Sequence, residues 1–339
     1  MSPMRVVILG CGVSGLSCGV RLLEAGHAVE IWARELPPHT TSDVAAAVWY
    51  PYLAFPQERV TAWGARTLEE LCALAARPET GVRRVLGTEL LLWPAPDPWW
   101  ASSVPGFRHA TASELLPGFV DGFVFEAPVI DMRRYLPYLM ERFRRLGGSI
   151  VQREVHSLDE AWSVAPLVVN CTGLGSRALL GDESLYPIRG EVLRVAPLPL
   201  ERFLLDEQDE ARGMTYLIPR IDDCILGGTA VKGSASLEPD PSQAEAILAR
   251  AARLLPAGTP IHVLQHLVGL RPGRPTVRLE LEQVDGRHVL HNYGHGGAGV
   301  TLSWGCAEEV AALVGQLTDG APHVGPAHHP SSIGRTHGK

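Results

Sequence analysis

Met4-Arg-Val-Val-Ile-Leu9-Gly10-Cys-Gly12-Val-Ser-Gly15 decides the fold. Its first six residues are an apolar run of strand length, and three glycines spaced G-x-G-x-x-G turn directly out of it. Ser14 to Ala25 reads as a helix closed by Gly26, and Ala28-Val-Glu-Ile-Trp-Ala33 reads as a second, parallel strand. Gly10 permits the tight turn, Gly12 lets a pyrophosphate approach the backbone without meeting a Cβ, and Gly15 lets helix pack on strand. The helix N-terminus adds unpaired N–H groups and a positive dipole end for phosphates. The order of strand, glycine turn, helix and strand predicts a dinucleotide site.

The acidic residue that usually holds a ribose at the end of the second strand is displaced: Arg34 comes first and Glu35 follows. Arg34 suits the extra phosphate of NADP, or the adenosine of FAD with Glu35 on the ribose hydroxyls, and the turn alone does not choose between them.

At 339 residues the chain exceeds one ordinary domain and suits two that share a core. The formal net charge of -7 and the scattered arginines argue against a nucleic-acid partner. No uninterrupted apolar run approaches membrane-spanning length, and the first strand starts too early to leave room for a signal peptide. These features predict a soluble, cytoplasmic protein. The six cysteines form no C-x-x-C pair and read as structural thiols. His288, His291 and His295 fall on a strand running into glycines, where alternate side chains point to opposite faces, so no metal site is expected there.

In chain order, Thr40-Thr41-Ser42-Asp43 leads to Ala47-Val48-Trp-Tyr50. It reads either as a hydroxyl-rich loop approaching a flat ligand or as a capped turn starting a short helix at Asp43. Thr61 to Ala76 is a helix with one apolar face. From Gly81 to Phe125 the texture turns to short strands around Pro94-Ala-Pro-Asp-Pro98. Asp131 to Leu146 returns to helix with Pro137 as a kink or late start. Ser149 to Arg153 is a strand. Pro166-Leu-Val-Val-Asn-Cys171-Thr172-Gly173 is a buried strand with another glycine turn, which makes the first domain discontinuous. The β-rich texture resumes from Gly190 through Val268, and Ser242 to Leu254 is a helix with Ser242 as N-cap. Val289-Leu-His-Asn-Tyr293 runs into Gly294-His-Gly296-Gly297-Ala298-Gly299-Val300-Thr301 and a helix from about Leu302 to Leu317, repeating the arrangement of the opening turn.

Several of these stretches resemble the D-amino-acid oxidases, a flavoenzyme family that includes D-aspartate oxidase. The resemblance is carried by Gly10-Cys-Gly-Val-Ser-Gly15, Thr40-Thr-Ser-Asp-Val-Ala-Ala47, Asn170-Cys-Thr-Gly173, Gly269-Leu-Arg-Pro-Gly-Arg-Pro275, Val277-Arg-Leu-Glu280 and His291-Asn-Tyr-Gly-His-Gly-Gly297, in the family's order over nearly the whole chain. It implies an α/β fold: a discontinuous Rossmann-type FAD-binding domain (1–80, 131–188 and 277–325), a mixed, β-rich substrate domain (81–130 and 189–276) and a flexible tail (326–339). It favours FAD over NADP at Arg34. The resemblance puts Gly12, Val13 and Ser14 at the pyrophosphate, Arg34 at the adenosine, and Thr40, Thr41 and Ser42 in the hydroxyl-rich loop. Ala47 and Val48 would approach the isoalloxazine, and Val155, Cys171 and Thr172 the adenosine side. Gly296, Gly297, Gly299, Val300 and Thr301 would lie under the flavin.

For the substrate, the resemblance implies Arg271 as a bidentate fork on the α-carboxylate, Tyr216 as a second donor to it, and the Gly297 carbonyl as acceptor from the amine. The implied reaction is hydride transfer from Cα to flavin N5, giving a 2-oxo acid, ammonia and, through O2, hydrogen peroxide. It uses no side-chain base, in keeping with the lack of a recognisable histidine or carboxylate acid–base pair. Partners are confined to a D-amino acid, O2 and at most a second copy of the chain. Two departures stand out. The lid segment Leu204 to Gly213 is short, charged and lacks tyrosine, and Tyr50 replaces a glutamine of the mammalian enzymes. Ala230 and Asp209 stand where D-aspartate oxidases carry arginines, which predicts neutral, mostly apolar D-amino acids as substrates. Arg212 on the short lid is the reservation, and Ala298 leaves room for larger side chains. D-aspartate oxidase, a glycine or sarcosine oxidase, and a non-catalytic FAD-binding protein are the alternatives.

Overall fold

The computed structural model describes residues 3–50 and 54–318; the expected tail at 326–339 lies outside them. Two sheets organise the chain. The first has strand order β14 (Arg278–Val284), β15 (Arg287–Tyr293), β7 (Leu167–Asn170), β1 (Arg5–Leu9), β2 (Ala28–Ala33) and β6 (Ser149–Gln152). All neighbours in it are parallel except β14 and β15. Val6, Val7 and Ile8 are fully buried, because helices cover both faces and a parallel strand then has no wet side. Val6 and Ile8 pack toward α1 (Val13–Glu24), α2 (Gln57–Leu74), α3 (Met132–Arg145) and α7 (Gly299–Thr318). Val7 and Leu9 pack on the other side against Leu158 and Ala161 of α4 (Leu158–Trp162).

The second sheet runs β12 (Val231–Lys232), β8 (Tyr186–Val195), β11 (Cys224–Gly227), β10 (Thr215–Pro219), β9 (Phe203–Asp206), β3 (Val82–Leu91), β5 (Asp121–Ile130) and β4 (Arg108–His109), with β13 (Val263–Gly273) also paired to β8. The period-two alternation of its strands sorts side chains cleanly. Leu193, Leu204, Leu217 and Leu226 pack on one face with Ile247 and Ala251 of α6 (Pro241–Ala252), which follows α5 (Ser176–Leu180) in the chain. The opposite face, carrying Val192, Leu205, Tyr216 and Ile218, looks toward the first sheet and the cavity between them.

Most expected elements form within a few residues of their expected ends. The N-cap of α6 is Asp240, not Ser242, with Pro241 at the first helical position, and the Asp240 side chain accepts from Ser242 N. α3 accommodates Pro137 inside one continuous helix begun by Asp131, whose carboxylate accepts from Arg133 N. α7 starts at Gly299, a turn earlier than its apolar pattern suggests, because glycines carry no hydrophobic signal.

Candidate active site

A cavity of about 1130 Å3 runs between the sheets from the C-terminal ends of β2 and β6 to the face of β10 and β13. At its first end Gly10 has φ +107°, and a Cβ there would stand 2.5 Å from the Cys171 carbonyl oxygen. A Cβ on Gly15 would stand 2.0 Å from the Gly10 oxygen, so Gly15 serves helix–strand packing and does not line the cavity. A Cβ on Gly12 would meet only Ser42 Oγ, at 3.0 Å, which leaves the turn open to a ligand.

Gly10, Gly12, Val13, Ser14, Arg34, Glu35, Thr40, Thr41, Ser42, Ala47, Val48, Val155, Cys171 and Thr172 all line this cavity, as do Gly296, Gly297, Gly299, Val300 and Thr301. The capped turn of the hydroxyl-rich loop forms, and its hydroxyl residues line the cavity. Thr40 and Asp43 close a capping box, with Thr40 N and Oγ1 donating to Asp43 Oδ2 at 2.8 and 2.7 Å, and Ser42 Oγ accepts from Val13 N at 3.0 Å. Arg34 sits between Glu35 and Glu154 at 3.7 and 3.5 Å. The N-termini of α1 and α7 both open on the cavity, and neither has an acidic residue in its first turn. A two-ended cavity larger than a single drug-sized ligand needs, with a glycine turn that admits no Cβ at Gly10 or Gly15 and stays open at Gly12, and with two helix N-termini, fits FAD.

At the other end, strand register builds a row. Glu89 pairs with Leu205, Leu205 with Tyr216, Tyr216 with Gly227 and Gly227 with Val192. The Tyr216 ring lies flat over Gly227, where a Cβ would come within 2.0 Å of it. Arg271, on β13, lies over Gly190 in the same way, its Nη1 2.3 Å from where a Cβ would be. Its Nη1 donates to the Thr229 carbonyl at 3.0 Å, and among the described residues no carboxylate stands within 4 Å of it. Burial raises the Tyr216 phenol above its ordinary range against the opposing pull of the Arg271 charge, so it remains a donor at neutral pH.

Two expected pocket residues are elsewhere. Ala298 is fully buried beneath the α7 entry and does not line the cavity. Arg212 turns to the far face of its loop, 4.0 Å from Asp206 and over the Phe119 ring, and does not line the cavity. Tyr50 and Ala230 do line the cavity. Tyr50 donates to Glu89 Oε2 at 3.1 Å and lies edge-on to Trp100.

One carboxyl group that the sequence did not single out, Glu207, lines the cavity next to Glu89 and Arg271. Burial, with the Glu89 charge adding to it, pushes Glu207 up to about 8, and burial pushes Glu89 up to about 7. No signal in the sequence marks either one, since Glu207 sits in a charged loop and Glu89 in a strand. The short loop itself is pinned. Gln208 Oε1 accepts from Leu92 N and Trp93 N, and Nε2 donates to the Trp93 carbonyl at 2.9 Å. His291 and His295 are buried and bonded to Glu282 and Asn292, and burial pushes each down to about 4.

The family model described as FAD dependent oxidoreductase matches residues 5–313. A D-amino-acid oxidase of Rubrobacter xylanophilus is 56% identical over 313 residues, covering 92% of this chain and 96% of the relative. A human D-aspartate oxidase is 37% identical over 331 residues, covering 93% and 96%. Glycine oxidase from Bacillus cereus shares the fold, with a TM-score of 0.74 over 95% of this chain and all of that one, at 19% identity.

Proposed function

The chain belongs to the family of FAD-dependent oxidoreductases whose model spans it, and from that premise we propose that it oxidises D-amino acids with neutral side chains to 2-oxo acids, ammonia and hydrogen peroxide. The observation that carries the reading is Arg271, a guanidinium facing the cavity beside Tyr216 with no carboxylate of the described residues within 4 Å of it. A fork held this way is built for a carboxylate that arrives from outside.

FAD, when bound, supplies a two-electron acceptor that O2 reoxidises. The glycine turn, Ser42 and the α1 N-terminus would hold its phosphates, and residues from Gly296 to Thr301 would hold the flavin end. The rest is positioning. Arg271 and the Tyr216 hydroxyl fix the substrate α-carboxylate, and the Gly297 carbonyl accepts an N–H of the amine. With two substituents of Cα fixed, only one enantiomer presents its hydrogen to the reacting face. Val192, Leu205, Met214 and Ile218 line this end and keep water from the carboxylate contact. Ala230 in place of an arginine, and a wall carrying Glu207, disfavour an acidic side chain, which buried without a cation is strongly unfavourable.

Peroxide and 2-oxo acid release from D-alanine, D-valine, L-alanine and D-aspartate tests the proposal. Turnover of the two neutral D-substrates, with L-alanine inert and D-aspartate poor, is expected; D-aspartate equal to the best neutral substrate refutes the preference.

A further inference from the structure

The proposed reaction needs the Arg271 guanidinium and the Tyr216 hydroxyl aimed at one point, and a single tripeptide meets both. Gly227 lies under the Tyr216 ring, a Cβ on Gly228 would stand 2.7 Å from the Tyr216 hydroxyl, and the Thr229 carbonyl accepts from Arg271 Nη1 at 3.0 Å. The tripeptide falls where two strands change over. β11 pairs with β8 as far as Gly227 opposite Val192, and β12 resumes the pairing at Val231 opposite Arg189. Between these pairs the chain leaves strand geometry, and the acceptor for Glu191 N is the Thr229 side chain, with Oγ1 at 2.9 Å. A buried N–H without an acceptor is costly, so this bond pins the tripeptide to β8.

The seat for that hydroxyl is itself rigid. Strand alternation turns Gly190 and Val192 to the cavity and Glu191 away from it. The Glu191 side chain is fully buried. Its Oε1 accepts from Arg189 Nη1, its Oε2 accepts from Asp240 N at 3.0 Å, and His266 Nε2 stands 2.8 Å from Oε2. Arg189 also donates to the Ser236 and Glu238 carbonyls, which ties β8 to the segment that enters α6. From further along α6, Arg250 Nη2 donates to the Gly228 carbonyl at 3.0 Å, and Gly228 N donates to the Met214 carbonyl at 3.1 Å. Of these three anchors on the tripeptide, the Thr229 hydroxyl is the one that belongs to a side chain of the tripeptide itself.

We propose that Thr229 is a positioning residue for the reaction: its hydroxyl, seated on Glu191 N, fixes the carbonyl that aims the Arg271 fork. The inference rests on the reading that Arg271 receives the substrate α-carboxylate. Thr229 does not line the cavity, so it acts through Arg271. A long arginine side chain lying over Gly190 meets no Cβ beneath it, and the hydrogen bond at Nη1 sets the direction of the guanidinium plane. The Thr229 carbonyl occupies one N–H of the fork and leaves the rest for a carboxylate. Shifting that carbonyl turns the plane relative to the Tyr216 hydroxyl and loosens a grip that depends on both.

The test compares three variants, all FAD-loaded. Thr229→Val removes the hydroxyl and keeps the branched shape, Thr229→Ser keeps the hydroxyl, and Thr229→Ala guards against a valine variant that does not fold. The second-order rate of anaerobic flavin reduction by D-alanine is expected to fall on the order of 10- to 100-fold in Thr229→Val and Thr229→Ala. Thr229→Ser should restore it, with flavin content unchanged in all three. The Kd of hexanoate, a carboxylate with no amine to oxidise, should rise and recover in the same order.

On an Arg271→Leu background the fork is gone, and adding Thr229→Val should change the rate by no more than about twofold. A hydroxyl that only stabilises the fold would lower Tm, and its loss would multiply that of Arg271→Leu in full. That result overturns the assignment, as does a hexanoate Kd left unchanged by Thr229→Val. If no D-amino acid reduces the wild-type flavin the oxidase reading fails, and hexanoate still decides this one: a Kd raised by Thr229→Val and restored by Thr229→Ser supports the role of Thr229, and equal values refute it.

Discussion

Replacing Arg271 by leucine removes the fork while keeping an apolar side chain to cover Gly190, where a Cβ could not be added without meeting the guanidinium. The Thr229 carbonyl loses its 3.0 Å donor, and the substrate carboxylate enters a half-buried site with only Tyr216 to meet it. Breaking a buried charge pair costs about 3 to 5 kcal/mol. The lower part of that range applies because Arg271 keeps some exposure to the cavity, and about 3 to 4 kcal/mol is roughly a 10²- to 10³-fold loss in kcat/KM. The loss should fall on the rate of anaerobic flavin reduction by D-alanine at low substrate concentration. Flavin content should stay at the wild-type level, since Arg271 lies at the other end of the cavity from Gly12 and Ser42, where the proposal puts the phosphates. Arg271→Lys should recover charge but not the two-point geometry, and so only part of the rate. Flavin reduction by Arg271→Leu within a few-fold of wild type would refute the reasoning, because the carboxylate would then have to bind elsewhere.

Tyr216→Phe keeps the ring over Gly227 and removes one hydrogen bond to a charged group, so KM should rise roughly tenfold, from about 1.5 kcal/mol, with a smaller change in kcat; a steady-state comparison on D-alanine checks it, and an unchanged KM speaks against the contact. Gly12→Val fills the open side of the turn where only Ser42 Oγ stands near, so the protein should purify folded by circular dichroism yet flavin-free, and retained FAD would show that the phosphates lie elsewhere. Glu207 titrates near 8 when folded and near 4.3 unfolded, so the folded state holds the extra proton between these values; its contribution is fully present at acid pH and is lost as pH rises through about 8. The Tm gain of Glu207→Gln over wild type, both saturated with FAD, should therefore be larger at pH 9 than at pH 5, and a gain independent of pH would refute this titration.

The glycine-turn end of the cavity was legible in the sequence because backbone geometry drives it. Gly10 at φ +107° and Gly15 against the Gly10 oxygen are positions only glycine can fill, and such glycines stand out in a string of letters. Arg271 and Tyr216 were legible through the blocks around them. Gly190 and Gly227, the floor on which those two side chains lie, carried no signal, because their role appears only when β8, β11 and β13 come into register. Glu207 and Glu89 were missed for the same reason: a charged residue in a loop or on a strand reads as solvated until the partner sheet closes over it. Arg212 went the other way, a charge near the site in sequence that lies on the far face beside Asp206, which strand alternation points away from the cavity.

The most direct test of the account is the absorbance of the purified protein under anaerobic conditions before and after a D-amino acid is added. A yellow protein with the flavin spectrum that bleaches with D-alanine, keeps its colour with L-alanine and regains it when O2 is admitted with release of hydrogen peroxide is the predicted result. A protein that carries no FAD, or a flavin that either enantiomer reduces equally or neither reduces, would contradict it.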